Sequence, residues 1–407
     1  MQTLAIPQHP VETTKGSFRS LGLSEPILAS IQRIGFEHPT PIQAGVIPVA
    51  LTGRDLIGLA QTGSGKTAAF CLPLAERLNH GEGTRALILC PTREIALQTQ
   101  AFLEIFGEDH RLSAACLIGG VKMEPQIKAI RARPDIIVAT PGRLYDHLEH
   151  RTLKVDKVSY VVLDEADHML DMGFLPQVQR ILQELKGPRQ TLMFSATMVP
   201  LVERLAQQFM VTPTRVDYRP EGGAAEGISH RLYLVDPDHK KELILALLHQ
   251  ELGSTLVFTR RKTDAEWLCG VLEREGHPVE RIHSNLSQGQ RTSALQGFRE
   301  GEHRILVATD IAARGIDIPR VGHIINFDMP ENVEDYIHRA GRTARGTALG
   351  IVSSIGSWMD KALIREIEST LGEEIPRCSV PGVDPYIEMR PKTSMSHRRG
   401  SLKVKRR

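Results

Sequence analysis

Two short stretches carry the residue types that handle a triphosphate. The first is Ala60-Gln61-Thr62-Gly63-Ser64-Gly65-Lys66-Thr67, set between a strand-like and a helix-like run. Small residues let successive backbone N–H groups close around phosphate oxygens, and a helix N-terminus adds a favourable dipole. Lys66 would then reach the outer phosphates, and the Thr67 hydroxyl would ligate Mg²⁺. The general pattern places glycine first, where this chain has Ala60. A Gly-Lys-Thr at a turn can also be no more than a helix start. The second stretch, Asp164-Glu165, follows the apolar run Val158–Leu163. A carboxylate at a strand end is a hard oxygen ligand, which makes Asp164 a candidate for the metal. Glu165 can orient or deprotonate an attacking water. Read alone, the same acids could simply cap the next helix.

Such groups need a scaffold that brings strand ends together. Strand candidates in the first part are Asp55–Leu59, Arg85–Cys90, Ala114–Ile118, Asp135–Ala139, Val158–Leu163 and Thr191–Phe194. Amphipathic runs such as Ala68–Leu78 and Glu94–Ile105 lie between them. Near-continuous apolar strands with helical crossovers predict an α/β fold, its parallel sheet covered on both faces. Pro220–Gly227, with two acids, three glycines and no large apolar residue, reads as a linker. The alternation then resumes with Leu256–Thr259, Val279–Ile282, Ile305–Ala308, His323–Phe327 and Ile351–Ser354. The expected organisation is an extension over 1–17, one α/β domain over 18–217, a linker over 218–228, a second domain over 229–376 and a basic flexible tail over 377–407.

Composition narrows the class. No apolar run approaches the ~18 residues of a membrane-spanning helix. The first fifteen residues lack the pattern of a secretory signal. Cys71, Cys90, Cys116, Cys269 and Cys378 are widely spaced without a CxxC pair, which argues against zinc and a disulfide framework. They read as small buried apolar residues. Cytoplasm is therefore the expected location. Net charge is +2, yet Pro391–Arg407 holds seven Lys or Arg and no acid, leaving about −5 on the rest. A basic end of that kind is drawn to polyanions, or else only aids solubility.

With Asp164-Glu165-Ala166-Asp167 the chain resembles the DEAD-box RNA helicases, and the resemblance runs over about residues 18 to 376 with the motifs in family order. Gly35-Phe36-Glu37-His38-Pro39-Thr40-Pro41-Ile42-Gln43 is similar to the family's adenine-reading motif, and Phe18 stands where the family has an isolated aromatic. A Gln amide can pair both N6 and N7 of adenine, a physical reason to prefer ATP. Pro91-Thr92-Arg93-Glu94, Gly119-Gly120 and Thr140-Pro141-Gly142-Arg143 resemble motifs lining an RNA groove, which implies RNA contacts for Arg93, Gly120, Thr140 and Arg143. Ser195-Ala196-Thr197 resembles the motif linking ATP turnover to strand separation, so Ser195, Thr197, Asp167 and His338 are implied in interdomain coupling.

In the second half, 256–261 and 288–291 resemble RNA motifs and imply Arg260 and Arg291 as contacts. Ala308-Thr309-Asp310 and Ala313-Arg314-Gly315-Ile316-Asp317 imply Thr309 at an RNA phosphate and Asp317 at the ATP ribose. The stretch from His338 to Arg345 is the most diagnostic. As a helix it would present His338, Arg342 and Arg345 on one face, and the resemblance places Arg342 and Arg345 at the γ-phosphate. Departures from the family pattern are His168, Ile95, Ala340 and Ala344. Taken together the resemblance implies two tandem RecA-like domains, ATP and Mg²⁺ as cofactors, and RNA as partner. It implies RNA-stimulated ATP hydrolysis coupled to domain closure, with local, non-processive unwinding of short duplexes or ribonucleoprotein remodelling. A monomer is expected. A DNA-directed motor shares this engine, and an RNA clamp would bind with ATP yet barely unwind.

Overall fold

The computed structural model describes residues 16–61, 63–78, 80–81, 83–107, 111–218, 227–250, 253–310, 321–343 and 349–383. The first sheet is built from β1 (Leu56–Leu59), β2 (Ala86–Leu89), β3 (Ala114–Leu117), β4 (Ile136–Ala139), β5 (Tyr160–Leu163), β6 (Gln190–Ser195) and β7 (Thr214–Asp217). The second contains β8 (Ile228–Leu234), β9 (Thr255–Thr259), β10 (Val279–Ile282), β11 (Ile305–Thr309), β12 (His323–Asn326) and β13 (Gly350–Gly356). Strand order is β3-β4-β2-β5-β6-β1-β7 in one and β10-β11-β9-β12-β13-β8 in the other. The strand pairs are parallel throughout. The α/β class with two parallel-sheet domains is thus borne out.

Alternation along each central strand explains the apolar runs. Leu56, Ile88 and Val162 face one core, while Ile57, Leu87, Leu89 and Val161 face another. The second sheet repeats this with Leu256, Leu306 and Ile324 on one side and Val257, Val307 and Ile325 on the other. A strand buried on both faces has no polar side to show. Cys71, Cys90 and Cys269 are buried as expected, whereas Cys116 and Cys378 are half-buried.

The second domain runs past the expected boundary at 376. Leu232 of β8 donates its N–H to the Pro376 carbonyl at 2.9 Å and accepts one from Cys378 at 2.8 Å. Val380 and Val383 then enter the core beside Val235. These apolar side chains and the edge of β8 hold the segment on the domain. Residues 219–226 of the proposed linker and 384–407, which include the basic tail, lie outside the described residues. Among the described residues no helix is long and apolar enough to cross a membrane.

Candidate functional site

In the first sheet β6 lies between β1 and β5. The register matches Leu59 with Ser195 and Leu163 with Met193, so the carboxyl ends of the three strands stand side by side. Ala60, Asp164-Glu165 and Ser195 therefore meet where parallel sheets place ligands. Ala60 donates its N–H to the Ser195 carbonyl at 3.1 Å, extending the ladder, and its φ is not positive. Glycine is therefore not needed at that position. Gly65 is different: it caps helix Lys66–Arg77 at φ +93°. A Cβ there would stand 2.5 Å from Gln43 Nε2 and 3.1 Å from Thr40 Oγ1.

Gln43 braces this turn. Its Oε1 accepts the Thr40 N–H at 2.9 Å, half of a reciprocal cap on helix Pro41–Leu51, and its Nε2 donates to the Gly65 carbonyl at 3.2 Å. Lys66, 6% exposed, donates to the Ala60 carbonyl at 2.8 Å. Gln61, Gly63 and Ser64 share the loop and Thr67 stands in the first helical turn, each at least partly exposed as a residue. Thr62 lies outside the described residues. Phe18, expected at the nucleotide, is 3% exposed and belongs to the apolar core with Leu21, Leu23 and Ile27. Its ring anchors the segment ahead of helix Glu25–Arg33 rather than lining an open cleft.

The acidic half is buried and tightly wired. Asp164 is 3% exposed, and burial, then the charge of Glu165, push its carboxyl upward despite Lys66 nearby. Its Oδ1 has no hydrogen-bond partner among the described residues, nor has Ser64 Oγ. A buried carboxylate oxygen in that condition, beside a phosphate-loop lysine and Thr67, suits a divalent cation shared with phosphate oxygens. Magnesium is commonly held by one or two carboxylates plus phosphate. Among the described residues no cluster of three His, Cys, Asp or Glu forms a metal cage.

Glu165 caps helix Ala166–Asp171 at φ 50°, a left-handed conformation that non-glycine residues avoid. Burial alone would raise its carboxyl. The His168 hydrogen bond and charge, with Lys66 and Arg342, outweigh burial and hold it down. Asp167 joins the helix to the end of β6: its Oδ2 accepts from Ala196 N at 3.0 Å, Thr197 N at 2.8 Å and Thr197 Oγ1 at 2.9 Å. Ser195 Oγ in turn accepts the Asp167 N–H at 3.3 Å.

The first-domain residues expected to meet RNA lie past the carboxyl ends of three further strands, β3, β4 and β2. Arg93 lies across Gly119 and Gly120, and at Gly120 (φ +76°) a Cβ would come within 2.1 Å of its guanidinium. Thr140 caps helix Pro141–Glu149, and Arg143 donates to the Val121 carbonyl at 2.7 Å. On the second domain Arg260 is exposed at the end of β9, its N–H on Asp328 Oδ2 at 3.0 Å. Thr309 ends β11.

Arg291 is placed otherwise. Its side chain is 9% exposed and pairs with Glu94 of the first domain at 3.1 Å. Gln288 donates to the same carboxylate at 3.0 Å. Glu94 and Gln288 fall within motifs that imply no role for them, and only three-dimensional proximity discloses the bridge.

The expected helical face from His338 to Arg345 is corrected. Helix Val333–Ala340 ends at Gly341, and Arg342 and Thr343 follow in turns closed on Arg339 and Ala340 at 3.0 and 3.1 Å. Thr343 is drawn aside by a hydroxyl bond to the Val321 carbonyl. His338 sits half-buried in the last helical turn. Arg342, 7% exposed, belongs to the second domain, yet its charge acts on Glu165 of the first. Asp317 and Arg345 lie outside the described residues. Arg339, given no role from the sequence, is a buried keystone. It bonds Asp310 at 2.6 and 2.7 Å and Asn326 at 2.9 Å, stacked 4.8 Å from the Phe258 ring. The buried stripe Val333, Tyr336, Arg339, Ala340 was the available signal.

A family model described as DEAD/DEAH box helicase matches residues 40–205, and one described as helicase conserved C-terminal domain matches 239–347. The DEAD-box ATP-dependent RNA helicase CshA of Bacillus subtilis is 40% identical over 375 residues, covering 91% of this chain and 76% of that protein. Its namesake from Geobacillus kaustophilus is 40% identical over 374 residues, with 91% and 80% covered. S. cerevisiae Dbp5 bound to RNA and ADP BeF3 superposes with TM-score 0.80 at 29% identity, covering 89% of this chain and 95% of that one. A DEAD box protein from Methanococcus jannaschii is 37% identical with 89% and 99% covered, yet its TM-score is 0.52.

Proposed function

The chain belongs to the DEAD-box RNA helicases, and from that membership we propose how its residues divide the work of ATP hydrolysis on RNA. It is an ATP-dependent RNA helicase that hydrolyses ATP and acts through closure of two α/β domains. The loop from Ala60 to Thr67 holds the phosphates, with Lys66 on the outer ones, and Gln43 reads adenine while bracing Gly65. Thr67 and Asp164 would hold Mg²⁺. Bound there, the ion would neutralise charge growing on the transferred phosphoryl group.

Glu165 orients the attacking water and takes its proton. Its held-down carboxyl stays ionised at neutral pH, as a base must. Arg342, joined by Arg345, stabilises the γ-phosphoryl charge from the opposite domain. Asp317 serves the ribose. Asp167, Ser195, Thr197 and His338 carry the coupling, and Arg93, Gly120, Thr140, Arg143, Arg260 and Thr309 line the RNA path. Arg291 serves closure through Glu94. Phosphate and sugar contacts of this kind carry little sequence information, so short duplexes or ribonucleoproteins of varied sequence would be remodelled.

One observation carries this reading: the first domain, which bears Glu165, and the second, which bears Arg342, meet in this structure, Arg291 pairing with Glu94 at 3.1 Å. Neither domain holds both Glu165 and Arg342. The test is ATP hydrolysis by the purified chain with matched RNA and DNA oligomers, beside strand displacement. RNA should stimulate far more than DNA. Glu165→Gln should keep ATP and RNA binding while turnover falls by roughly 10²–10⁴, the usual contribution of a general base. Unchanged turnover in that variant removes Glu165 from the role.

A further inference from the structure

Glu165 sits at the N-cap of a six-residue helix, yet its side chain makes no capping bond. The His168 N–H that a cap would serve is taken by Asp167 Oδ1 at 3.0 Å. The Glu165 carboxylate is thereby positioned by groups other than the cap. His168, one turn on, is one such group: its Nδ1 lies 3.2 Å from Glu165 Oε2. The two side chains are 5% and 12% exposed, so water competes poorly for the contact. His168 Nε2 is buried without a partner among the described residues, so the contact with Glu165 is the hydrogen bond recorded for the ring. The tautomer that satisfies the carboxylate carries its proton on Nδ1.

We propose that His168 is a positioning residue for ATP hydrolysis: its Nδ1–H holds Glu165 Oε2 and so aims the other carboxylate oxygen at the attacking water. This rests on the reading of Glu165 as the base. A carboxylate on a flexible stem can rotate about its last bond, and a hydrogen bond on one oxygen restricts that freedom. Geometry comes before basicity in such a step, and a misplacement of about 1 Å can cost roughly 10²-fold in rate. Lys66 and Arg342 also act on Glu165, and His168 adds a hydrogen bond from the same helical turn. The backbone of Glu165 is already fixed in the left-handed region, so His168 acts on the side chain.

The test compares His168→Leu, His168→Asn and His168→Gln in the full chain under saturating RNA. Asparagine carries an amide nitrogen at the same distance from Cβ as Nδ1, whereas glutamine places it one atom further out. His168→Leu and His168→Gln should lose 10–100-fold in kcat, with KM for ATP and RNA affinity in ADP-beryllium fluoride within twofold of the parent. His168→Asn should keep kcat within about threefold. A merely space-filling imidazole would give equal losses in Asn and Leu variants, and that result overturns the proposal. So does an undiminished kcat in His168→Leu. Glu165→Gln measured alongside separates the two readings. If it is inactive while His168→Leu is fully active, only the positioning role fails; if it is active, the base reading itself fails.

Discussion

Replacing Glu94 by glutamine removes the negative partner of an ion pair that joins the two domains. Glu94 and Arg291 are 6% and 9% exposed at their side chains and stand 3.1 Å apart. Burial already lowers the Arg291 pKa, Glu94 is the charge that offsets this, and Arg93 opposes it. Truncating one member of a buried charge pair costs roughly 2–5 kcal/mol, much of it from the partner left uncompensated. When the domains separate both groups regain water, so the cost falls on closure and spares the fold of either domain. A mid-range value of about 3 kcal/mol weakens closure about 100-fold. The RNA half-saturation of ATP hydrolysis should rise by about that factor, with melting temperature unchanged. Glutamine still accepts from Gln288, so the loss isolates the charge. Glu94→Gln with Arg291→Met should recover at least tenfold over the single variant, the coupling expected of side chains in contact. The salt slope of RNA binding should not change in Arg291→Met, whereas loss of a phosphate contact lowers it by about 1. An unaltered half-saturation in Glu94→Gln, or two losses that simply add, refutes the bridge.

Two further outcomes test other parts of the molecule. Gly65→Ala places a Cβ 2.5 Å from Gln43 Nε2 at φ +93°, and KM for ATP should rise at least about tenfold, since left-handed alanine alone costs roughly 1–2 kcal/mol. An unchanged KM contradicts the tight fit of that turn. His323 is buried against Ser353, and burial, then Arg231 and Arg304, hold its imidazole down at about 4. An unfolded histidine titrates near ~6.5, so unfolding takes up a proton between those values and stability falls as pH drops through that window, by about 3 kcal/mol. Urea unfolding between pH 7 and pH 4 should show that slope, and His323→Asn should flatten it.

Central strands were legible because burial on both faces leaves no choice of residue. Leu87-Ile88-Leu89 and Val161-Val162-Leu163 could hardly be anything else. Of the four edge strands, β3 and β10 were legible, whereas β7 and β8 were not. Thr214-Arg215-Val216-Asp217 has only one flank to bury and reads as loop, and Ile228–Leu234 mixes Ser, His and Arg with its apolar residues. Phosphate-loop and acidic positions could be found because chemistry restricts both residue type and spacing. Long-range partners left no such trace. Glu94 and Arg291 are 197 positions apart, Arg339 finds Asp310 across a strand, and Val380 and Val383 return to the core after the pattern has faded. His168 was visible only as a departure from the family pattern, and its meaning comes from the carboxylate one turn before it.

The most direct measurement is the RNA-saturated kcat of Arg342→Ala in the full chain, together with its RNA affinity in ADP-beryllium fluoride. An arginine reaching the phosphates from the opposite domain contributes roughly 10³–10⁵ to rate. The variant should lose at least about 10³ in kcat while still binding ATP. Wild-type turnover under saturating RNA would mean that the first domain completes the chemistry alone, and the two-domain site would have to be abandoned.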